Sequence, residues 1–520
     1  MAPQEPRRRV SRALLSVFDK AGLIELGRGL AELGVELVAS GGTSSALRDA
    51  GLEVLDVADL TQSPEMLGGR VKTLHPRIHG GILARRDLPE DQADLEAQDI
   101  GSIDLVVCNL YPFEDTVAEP DVTFDAAIEK IDIGGPSMIR SAAKNAAYVG
   151  VLVDPTDYGP VLEELREHDG LAGATRRRLA LKAFRRTAAY DAAIQTWLAE
   201  QAGEDRFPEH LSVSLPVAME LRYGENPHQR AALYGGFLDA VQPLHGKALS
   251  YNNLVDVQAA LAMILDFDAS LGASVGILKH NTPCGVGMGD SPLQAYQNAF
   301  ETDPESPFGG VIVCNHPFDL ALAEQVDQIF TEVLVAPSFS AEALELLQKK
   351  KNRRLLAFDP TRLEVGELEW RRVYGGLLLQ EPDCGAEELA NAKVVTQRKP
   401  SDDEMRALQF GWRVVKHVKS NAIVFAGPDR TLAIGGGATS RVDAVHNAAA
   451  KAARVGLSLE NSVLASDAFF PFPDGLETAV AAGAQAVVQP GGSTRDDQVI
   501  EAADRLGIAM VMTGVRHFRH

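Results

Sequence analysis

The segment Gly68-Gly69-Arg70-Val71-Lys72-Thr73-Leu74-His75-Pro76 sets two cations two residues apart, between glycines and a proline, with the Thr73 hydroxyl beside them. A guanidinium grips phosphate oxygens in a fork and an ammonium binds them as a point charge, so this pattern suits an anionic ligand. A solvated basic loop is the plainer alternative. Ser40-Gly41-Gly42-Thr43 offers a second anion seat. Small residues let a ligand approach the backbone, and the free N–H groups of a following helix favour negative charge. The same turn could serve only to reverse the chain. It is neither a P-loop nor GxGxxG, so it carries no nucleoside triphosphate or dinucleotide signature. His75 and His79 stand four apart, but Pro76 intervenes and no Glu accompanies them, so no zinc helix is read.

Ile131-Asp132-Ile133-Gly134-Gly135-Pro136 places a carboxylate among apolar residues at a Gly-Gly-Pro turn, with Arg140 and Lys144 downstream. Lys144 could return a few helical turns later to face Asp132, and such a pair can orient a proton or polarise a carbonyl. A structural ion pair is the commoner outcome of the same pattern. Further on, Leu278-Lys279-His280-Asn281-Thr282-Pro283-Cys284-Gly285 ends an apolar run in a lysine and a histidine. A histidine there can act as a general base, and a neighbouring ammonium can hold a developing oxyanion. Arg222-Tyr223-Gly224-Glu225-Asn226-Pro227-His228 and Lys419-Ser420-Asn421 add convergent polar groups. The run Ser466-Asp467-Ala468-Phe469-Phe470-Pro471-Phe472 could stack a flat ring, although aromatic clusters are more often plain core.

These groups need a scaffold, and the first part of the chain alternates short strands with helices. Apolar runs at residues 13–17, 35–39, 105–108 and 149–153 each end in a polar or glycine turn. That alternation predicts a mostly parallel α/β sheet that binds ligands at the carboxyl ends of its strands. Residues 175–201 read as one helix, with Phe184, Thr187, Tyr190, Ile194 and Trp197 on a buried stripe. The polar stretch from Gly203 to Pro208 marks a boundary, giving domains at 1–202 and 203–520. The second part again mixes β-type runs (275–278, 311–313, 333–335, 486–488) with helices and is long enough for two sub-domains. A further boundary is read weakly near residues 380–404.

The chain has 520 residues with 45% hydrophobic and 23% charged side chains, which is a globular composition too long for one core. A net charge of −22 disfavours nucleic acid as a partner but leaves room for an anionic small molecule in a locally cationic cleft. Four cysteines, Cys108, Cys284, Cys314 and Cys384, are scattered without a CxxC pair, which argues against structural zinc and disulfides and fits a reducing cytosol. No apolar run is long enough to span a membrane, and the first ten residues are not read as a secretory signal.

Taken in order, SVFDKAGL, ASGGTSSALRDAGL, GGRVKTLHPRIHGGIL, CNLYPF, IDIGGP and SAAKN closely resemble a known family, and the likeness continues through the second part. There it runs through LRYGENPHQ, LSYNN, KHNTPCGV, SPFGG, VKSNAIVF, SDAFFPFPD, QPGGSTRDD and the final RHFRH. The family is the bifunctional purine-biosynthesis enzymes, which join phosphoribosylaminoimidazolecarboxamide formyltransferase to inosine monophosphate (IMP) cyclohydrolase. The resemblance implies an N-terminal domain similar to methylglyoxal synthase and a C-terminal pair of cytidine-deaminase-like lobes without zinc. It also implies 10-formyltetrahydrofolate as cosubstrate with no bound cofactor, and a cytoplasmic homodimer whose formyltransferase sites draw on both subunits.

By the same resemblance, Lys144 would be the principal residue of ring closure, with Asp132, Tyr111 and Lys72 around the reacting groups. Phe18, Asp19, Lys20, Ser40, Gly41, Gly42, Thr43, Arg70, Val71, Thr73, Cys108, Asn109 and Ile133 would hold the nucleotide. In the transferase, His280 would be the general base, Lys279 the oxyanion partner and Asn421 the holder of the reacting groups. Arg222, Tyr223, Gly309, Glu332, Arg441, Phe469 and Arg516 would bind the ribonucleotide, and Val442, Asp474, Ser493 and Thr494 would face the folate. The family usually carries a small hydroxyl residue where Phe18 stands and more often a glutamine where Ala438 stands. Backbone N–H groups near Phe18 could hold the phosphate in place of that hydroxyl. A nucleotide sensor without chemistry is the non-enzymatic alternative, but it would have no need of Lys144, Asp132, Lys279 and His280 together. An enzyme with one decayed half is the other.

Overall fold

The apolar run at residues 13–17 forms β1, Arg12–Val17, and pairs on both edges. With β2 (Glu36–Ala39), β3 (Leu55–Asp56), β4 (Leu105–Asn109) and β5 (Gly150–Leu152) it builds a parallel sheet in the order β3-β2-β1-β4-β5. Leu14, Leu15, Val106, Val107 and Val151 are fully inaccessible, because helices cover both faces and the strand centres are therefore runs of apolar residues rather than alternating ones. Each such side chain contributes about 1.5–3 kcal/mol of burial. The turns after β1, β2 and β4 all leave the same edge of the sheet, which brings residues 18–20, 40–43 and 109–111 together.

Helix Gly173–Gln201 closes this unit and buries Arg176, Leu179, Ala183, Thr187, Tyr190 and Trp197. Phe184 departs from the expected stripe: it is 39% exposed, with the Arg140 guanidinium 5.6 Å above its ring. Beyond the helix the chain folds back, with Ser212 Oγ donating to Gln195 Oε1 at 2.6 Å. This computed structural model describes residues 6–64, 66–67, 70–363, 368–383, 389 and 391–520, and they divide into Met1–Ser214 and Leu215–His520. Gly68, Gly69 and Cys384 lie outside the described residues, as does part of the segment 380–404.

The second unit opens with an antiparallel pair, β6 (Val217–Leu221) and β7 (Ala231–Tyr234). Strands β8 (Val241–His245), β9 (Ala273–Lys279), β10 (Thr282–Gly289), β11 (Val311–Cys314), β12 (Val333–Ala336) and β13 (Arg354–Phe358) follow. They form one sheet in the order β10-β9-β11-β12-β13-β8. After an exposed ribbon, β14 (Glu369–Val373) with β15 (Gly376–Gln380), comes a second six-stranded sheet. It contains β16 (Lys393–Val394), β17 (Ile423–Ala426), β18 (Thr431–Gly435), β19 (Ser462–Ser466), β20 (Ala484–Gln489) and β21 (Ala509–Met512), ordered β18-β17-β19-β20-β21-β16.

These two sheets share one topology. In each, the second strand in chain order runs antiparallel to both neighbours, the last three strands are parallel, and the first strand closes the far edge antiparallel. A common core lies between them, where Trp412, Phe410, Val414 and Val424 meet Val257, Met263, Leu278 and Val313.

Candidate functional site

In the first unit, Gly41 begins helix Gly41–Asp49 with φ +52°, and a Cβ there would stand 2.7 Å from Lys72 Nζ. A Cβ on Gly42 would lie 3.7 Å from Lys20 Nζ. Two ammonium groups therefore border one helix N-terminus, whose open N–H groups carry partial positive charge, and this is a seat for an anion. Thr43 is buried and locks that helix to β1, its hydroxyl donating to Val17 O and accepting from Val17 N–H, each at 3.1 Å. Ser40, Val71, Lys72 and His75 line a common cavity beside it. His75 itself caps helix Pro76–Leu83 by accepting the Arg77 N–H at Nδ1, and His79 meets Ser141 Oγ at 3.0 Å.

Phe18 and Asp19 do not supply the backbone donors that could stand in for a hydroxyl. Their N–H groups both donate to Asn109 Oδ1, at 2.6 and 3.1 Å, and Asn109 Nδ2 returns a bond to Asp19 O. Asn109 thus pins the turn after β1, while the Phe18 ring packs edge-on against Tyr111 at 5.5 Å. Buried Cys108 has its thiol pushed up by desolvation, which keeps it an uncharged filler in the sheet. Arg70 is drawn to the surface by Glu129.

Asp132 sits at the start of a second helix, Gly134–Lys144. Its Oδ1 accepts the Gly135 N–H at 2.8 Å, and its own N–H donates to Tyr190 OH at 2.8 Å. Burial raises its pKa, against the pull of backbone N–H groups of Gly135, Tyr111 and Gly134. The result is a carboxylate with heightened basicity. Gly135 has to be small here, since a Cβ would meet Leu110 at 2.7 Å. Thr73 is buried, and a Cβ on neighbouring Gly134 would reach its hydroxyl at 2.7 Å, so the segment carrying Lys72 joins both helix starts. Ile133 is exposed beside them.

Lys144 does not face Asp132. It is the last residue of the same helix, roughly 15 Å from Gly134 at 1.5 Å per residue, and it is exposed. The intervening residues are uninterrupted helix, so the chain never turns back.

In the second unit, Lys279 ends β9, and His280 and Asn281 form the two-residue turn into β10 with φ of 51° and 63°. Two successive left-handed residues make a type I′ hairpin, and side chains other than glycine are held there only by surrounding contacts. Asp256 provides one, accepting the Asn281 N–H at 2.8 Å. Lys279 Nζ donates to Phe308 O at 3.0 Å, which brings it beside Gly309. Glu332 Oε1 receives Asn253 Nδ2 and Arg354 Nη1, each at 3.1 Å, and Arg222 donates to Tyr223 OH at 2.9 Å. Arg354 feels the charge of Arg222 as well as that of Glu332, so these residues form one polar cluster.

Asn421, Arg441 and Phe469 belong to another cluster. Arg441 Nη2 donates to Asn421 Oδ1 at 2.9 Å, and its Nη1 to Ser466 Oγ at 2.8 Å and to fully buried Asp467. Asn421 Nδ2 and N both donate to the carbonyl of Ala438, so the backbone and not the side chain of that position is used. Val442 follows Arg441, and Phe469 lies two residues past Asp467. Asp474 starts helix Pro473–Ala481, and the Arg495 guanidinium lies 4.4 Å above the Phe472 ring, joining that turn to Ser493 and Thr494. Arg516 stacks over Phe518 at 4.6 Å. Among the described residues no hydrogen bond or ion pair directly joins this cluster to the one around His280.

Asn253, Asp256 and Arg354 were not singled out for a role by the sequence, and Ser420 and Asp467 entered only as members of the runs 419–421 and 466–472. Asn253 and Asp256 stand three apart on helix Tyr251–Ile264, and that spacing next to a Ser-Tyr-Asn-Asn start is the one signal that could have found them.

The first unit is of the methylglyoxal-synthase-like class: the model for the MGS-like domain matches residues 22–137. The model described as AICARFT/IMPCHase bienzyme matches residues 142–451. A Chloroflexus aurantiacus protein named bifunctional purine biosynthesis protein PurH is 53% identical over 98% of this chain and 99% of its own length. A Bacillus cereus protein of the same name is 50% identical over 98% and 99%. A crystal structure of ForH is 44% identical, spanning 36% of this chain and 97% of its own, with a TM-score of 0.33. The chain belongs to the AICARFT/IMPCHase bienzyme family. Among the described residues no helix is long and apolar enough to cross a membrane.

Proposed function

We propose that the chain transfers a formyl group from 10-formyltetrahydrofolate to 5-amino-1-(5-phospho-D-ribosyl)imidazole-4-carboxamide and then closes the formylated product to IMP with loss of water. Family membership carries the pair of reactions. The observation that carries the assignment of sites is the pair of helix starts joined by Lys72 and Thr73, one bordered by ammonium groups and the other holding Asp132. Ring closure is assigned to residues 1–202 and formyl transfer to 203–520. A cytosolic location belongs to the same reading.

For ring closure, the ribose phosphate takes the Gly41 helix start with Lys20, and Arg70, Val71 and Thr73 line the approach. The carboxamide nitrogen must attack the formyl carbon while a proton leaves the nitrogen and negative charge grows on the formyl oxygen. Asp132, made more basic by burial, takes the proton and returns it to the former formyl oxygen, which leaves as water as the ring double bond forms. Tyr111 and Lys72, which the family resemblance sets around the reacting groups, are assigned as donors to the oxygen. Lys144 stands at the wrong end of its helix for that contact, so the principal ammonium is assigned to Lys72.

For transfer, His280 removes the proton as the weakly nucleophilic imidazole amine attacks the formyl carbon, and Lys279 holds the oxyanion. The adduct then collapses with cleavage of the bond to the folate nitrogen, which takes the proton back from His280 and leaves as tetrahydrofolate. Arg222, Tyr223, Gly309 and Glu332 hold the nucleotide on one side. Asn421, Arg441, Phe469 and Arg516 hold it on the other, with Val442, Asp474, Ser493 and Thr494 toward the folate. A homodimer whose transferase sites draw on both subunits, as the family resemblance implies, belongs to the same reading.

The test is direct. The purified chain, given the aminoimidazole ribonucleotide and 10-formyltetrahydrofolate, should yield IMP, and given the formylated nucleotide alone should yield IMP without folate. Absence of either conversion in folded protein would remove the corresponding half of the proposal.

A further inference from the structure

We infer that Arg519 is a positioning residue for formyl transfer, acting on Asn421 and Arg441 through Ser420 and Asp467; the inference rests on the transferase reading above. Residues 516–520 are not a loose tail. Ser420 N–H donates to Arg519 O at 2.9 Å, and Arg519 N–H donates back to Ser420 Oγ at 3.0 Å. That hydroxyl in turn donates to Asp467 Oδ2 at 2.6 Å, whose other oxygen receives Arg441. His517 N–H donates to Asp467 O at 2.9 Å. One side of Asp467 is therefore fixed by residues 517–519, and the opposite side fixes the guanidinium that holds Asn421 Oδ1. Asn421 directly follows Ser420, so the same backbone segment is gripped twice.

The Arg519 side chain anchors this clamp in the interior. Its Nη1 lies 3.2 Å from His417 Nδ1, while His417 Nε2 lies 2.5 Å from Asp266 Oδ2. A guanidinium can only donate, so His417 Nδ1 must be the acceptor and Nε2 must carry the proton given to Asp266. Lys416 Nζ, at 2.7 Å, puts an ammonium on the same Asp266 oxygen. Asp266 follows helix Tyr251–Ile264, which also carries Asn253 and Asp256 toward the first cluster. One chain of hydrogen bonds thus runs from the end of that helix to Asn421, and Arg519 is its middle link. Breaking a buried charge-assisted link leaves its partners unpaired and free to shift, and small misplacements of reacting groups are costly.

The experiment compares full-length wild type, Arg519→Ala, Arg519→Lys and Asn421→Ala, with the two reactions assayed separately. Arg519→Ala should lower kcat for formyl transfer by roughly 10–100-fold. Ring closure should stay within twofold of wild type, guanidinium ion should restore part of the kcat, and Arg519→Lys should fall between. Formyl transfer within twofold of wild type in folded Arg519→Ala would overturn the inference. So would parallel loss of both activities that guanidinium leaves unrepaired, since that describes a fold defect. If Asn421→Ala also transfers formyl normally, the site assignment itself has failed; if Asn421→Ala is impaired and Arg519→Ala is not, only the role of Arg519 falls.

Discussion

The ring-closing cleft and the formyl-transfer residues are assembled in opposite ways. In the first unit a single parallel sheet sends the turns after β1, β2 and β4 to one edge, so its site is complete within about 130 residues of sequence. In the second unit two sheets of one topology each carry part of the residues proposed for formyl transfer, and at different ends of the equivalent strand. Lys279 ends β9 and His280 follows it, whereas Asn421 precedes the start of β17. A parallel sheet concentrates function at its strand ends by construction. A duplicated mixed sheet distributes it over opposite strand ends.

The largest effect that separates the two regions is expected from His280→Ala. A positioned base is worth about 10²–10⁴-fold, so formyl transfer should fall by that factor while ring closure of the formylated nucleotide is unchanged. Separate initial-rate assays decide it, and loss of both rates in folded protein would end the idea of independent sites.

Asp132→Asn should be next, costing about 10²–10³-fold in ring closure and nothing in transfer. Because burial raises its pKa, the acid limb of the wild-type ring-closure profile should lie above the ordinary carboxylate range. That limb should vanish in the variant. The sign for stability runs the other way. A carboxyl whose folded pKa is raised contributes stability at low pH that is lost as pH rises through that value. Asparagine has no charge to desolvate and can still accept the Gly135 N–H, so Tm at neutral pH should rise. A lower Tm would mean that the ionised carboxylate is better held than its burial implies.

Lys20→Ala probes the anion seat, and its expected signature is a KM for the formylated nucleotide raised about tenfold with kcat nearly intact, as when one phosphate-binding cation is removed. A fall in kcat without a change in KM would place the phosphate elsewhere.

Strands β1, β2, β4 and β5 were legible because parallel strands covered on both faces carry runs of consecutive apolar residues. Strand β3 was not, since two residues, Leu55 and Asp56, show no period. Ser40 to Thr43 and Arg70 to Thr73 could be read as candidates for an anion, because small residues before a helix and paired cations suit one, although a chain-reversing turn and a solvated loop have the same composition. Asp256, Asp467 and Ser420 could not, because their importance lies in partners 25 to 99 residues away. The shared topology of the two sheets was also hidden: strand order records pairing and direction, which different side chains satisfy equally well.

The smallest expected effect concerns the residue where resemblance and geometry part. Resemblance gives Lys144 the leading role in ring closure, and Lys144→Ala would then abolish it. In the structure the helix runs unbroken from Gly134 to Lys144, and a lysine side chain cannot span roughly 15 Å. The helix dipole adds little, since its field at the far end falls off within a turn. Lys144→Ala should therefore lower kcat for ring closure less than tenfold, well below the loss in Asp132→Asn. A drop of a hundredfold or more, with Lys72→Ala milder, would show that the ammonium acts from the exposed end of the helix. The cleft would then have to extend along its length, past Ser141, rather than close at its start.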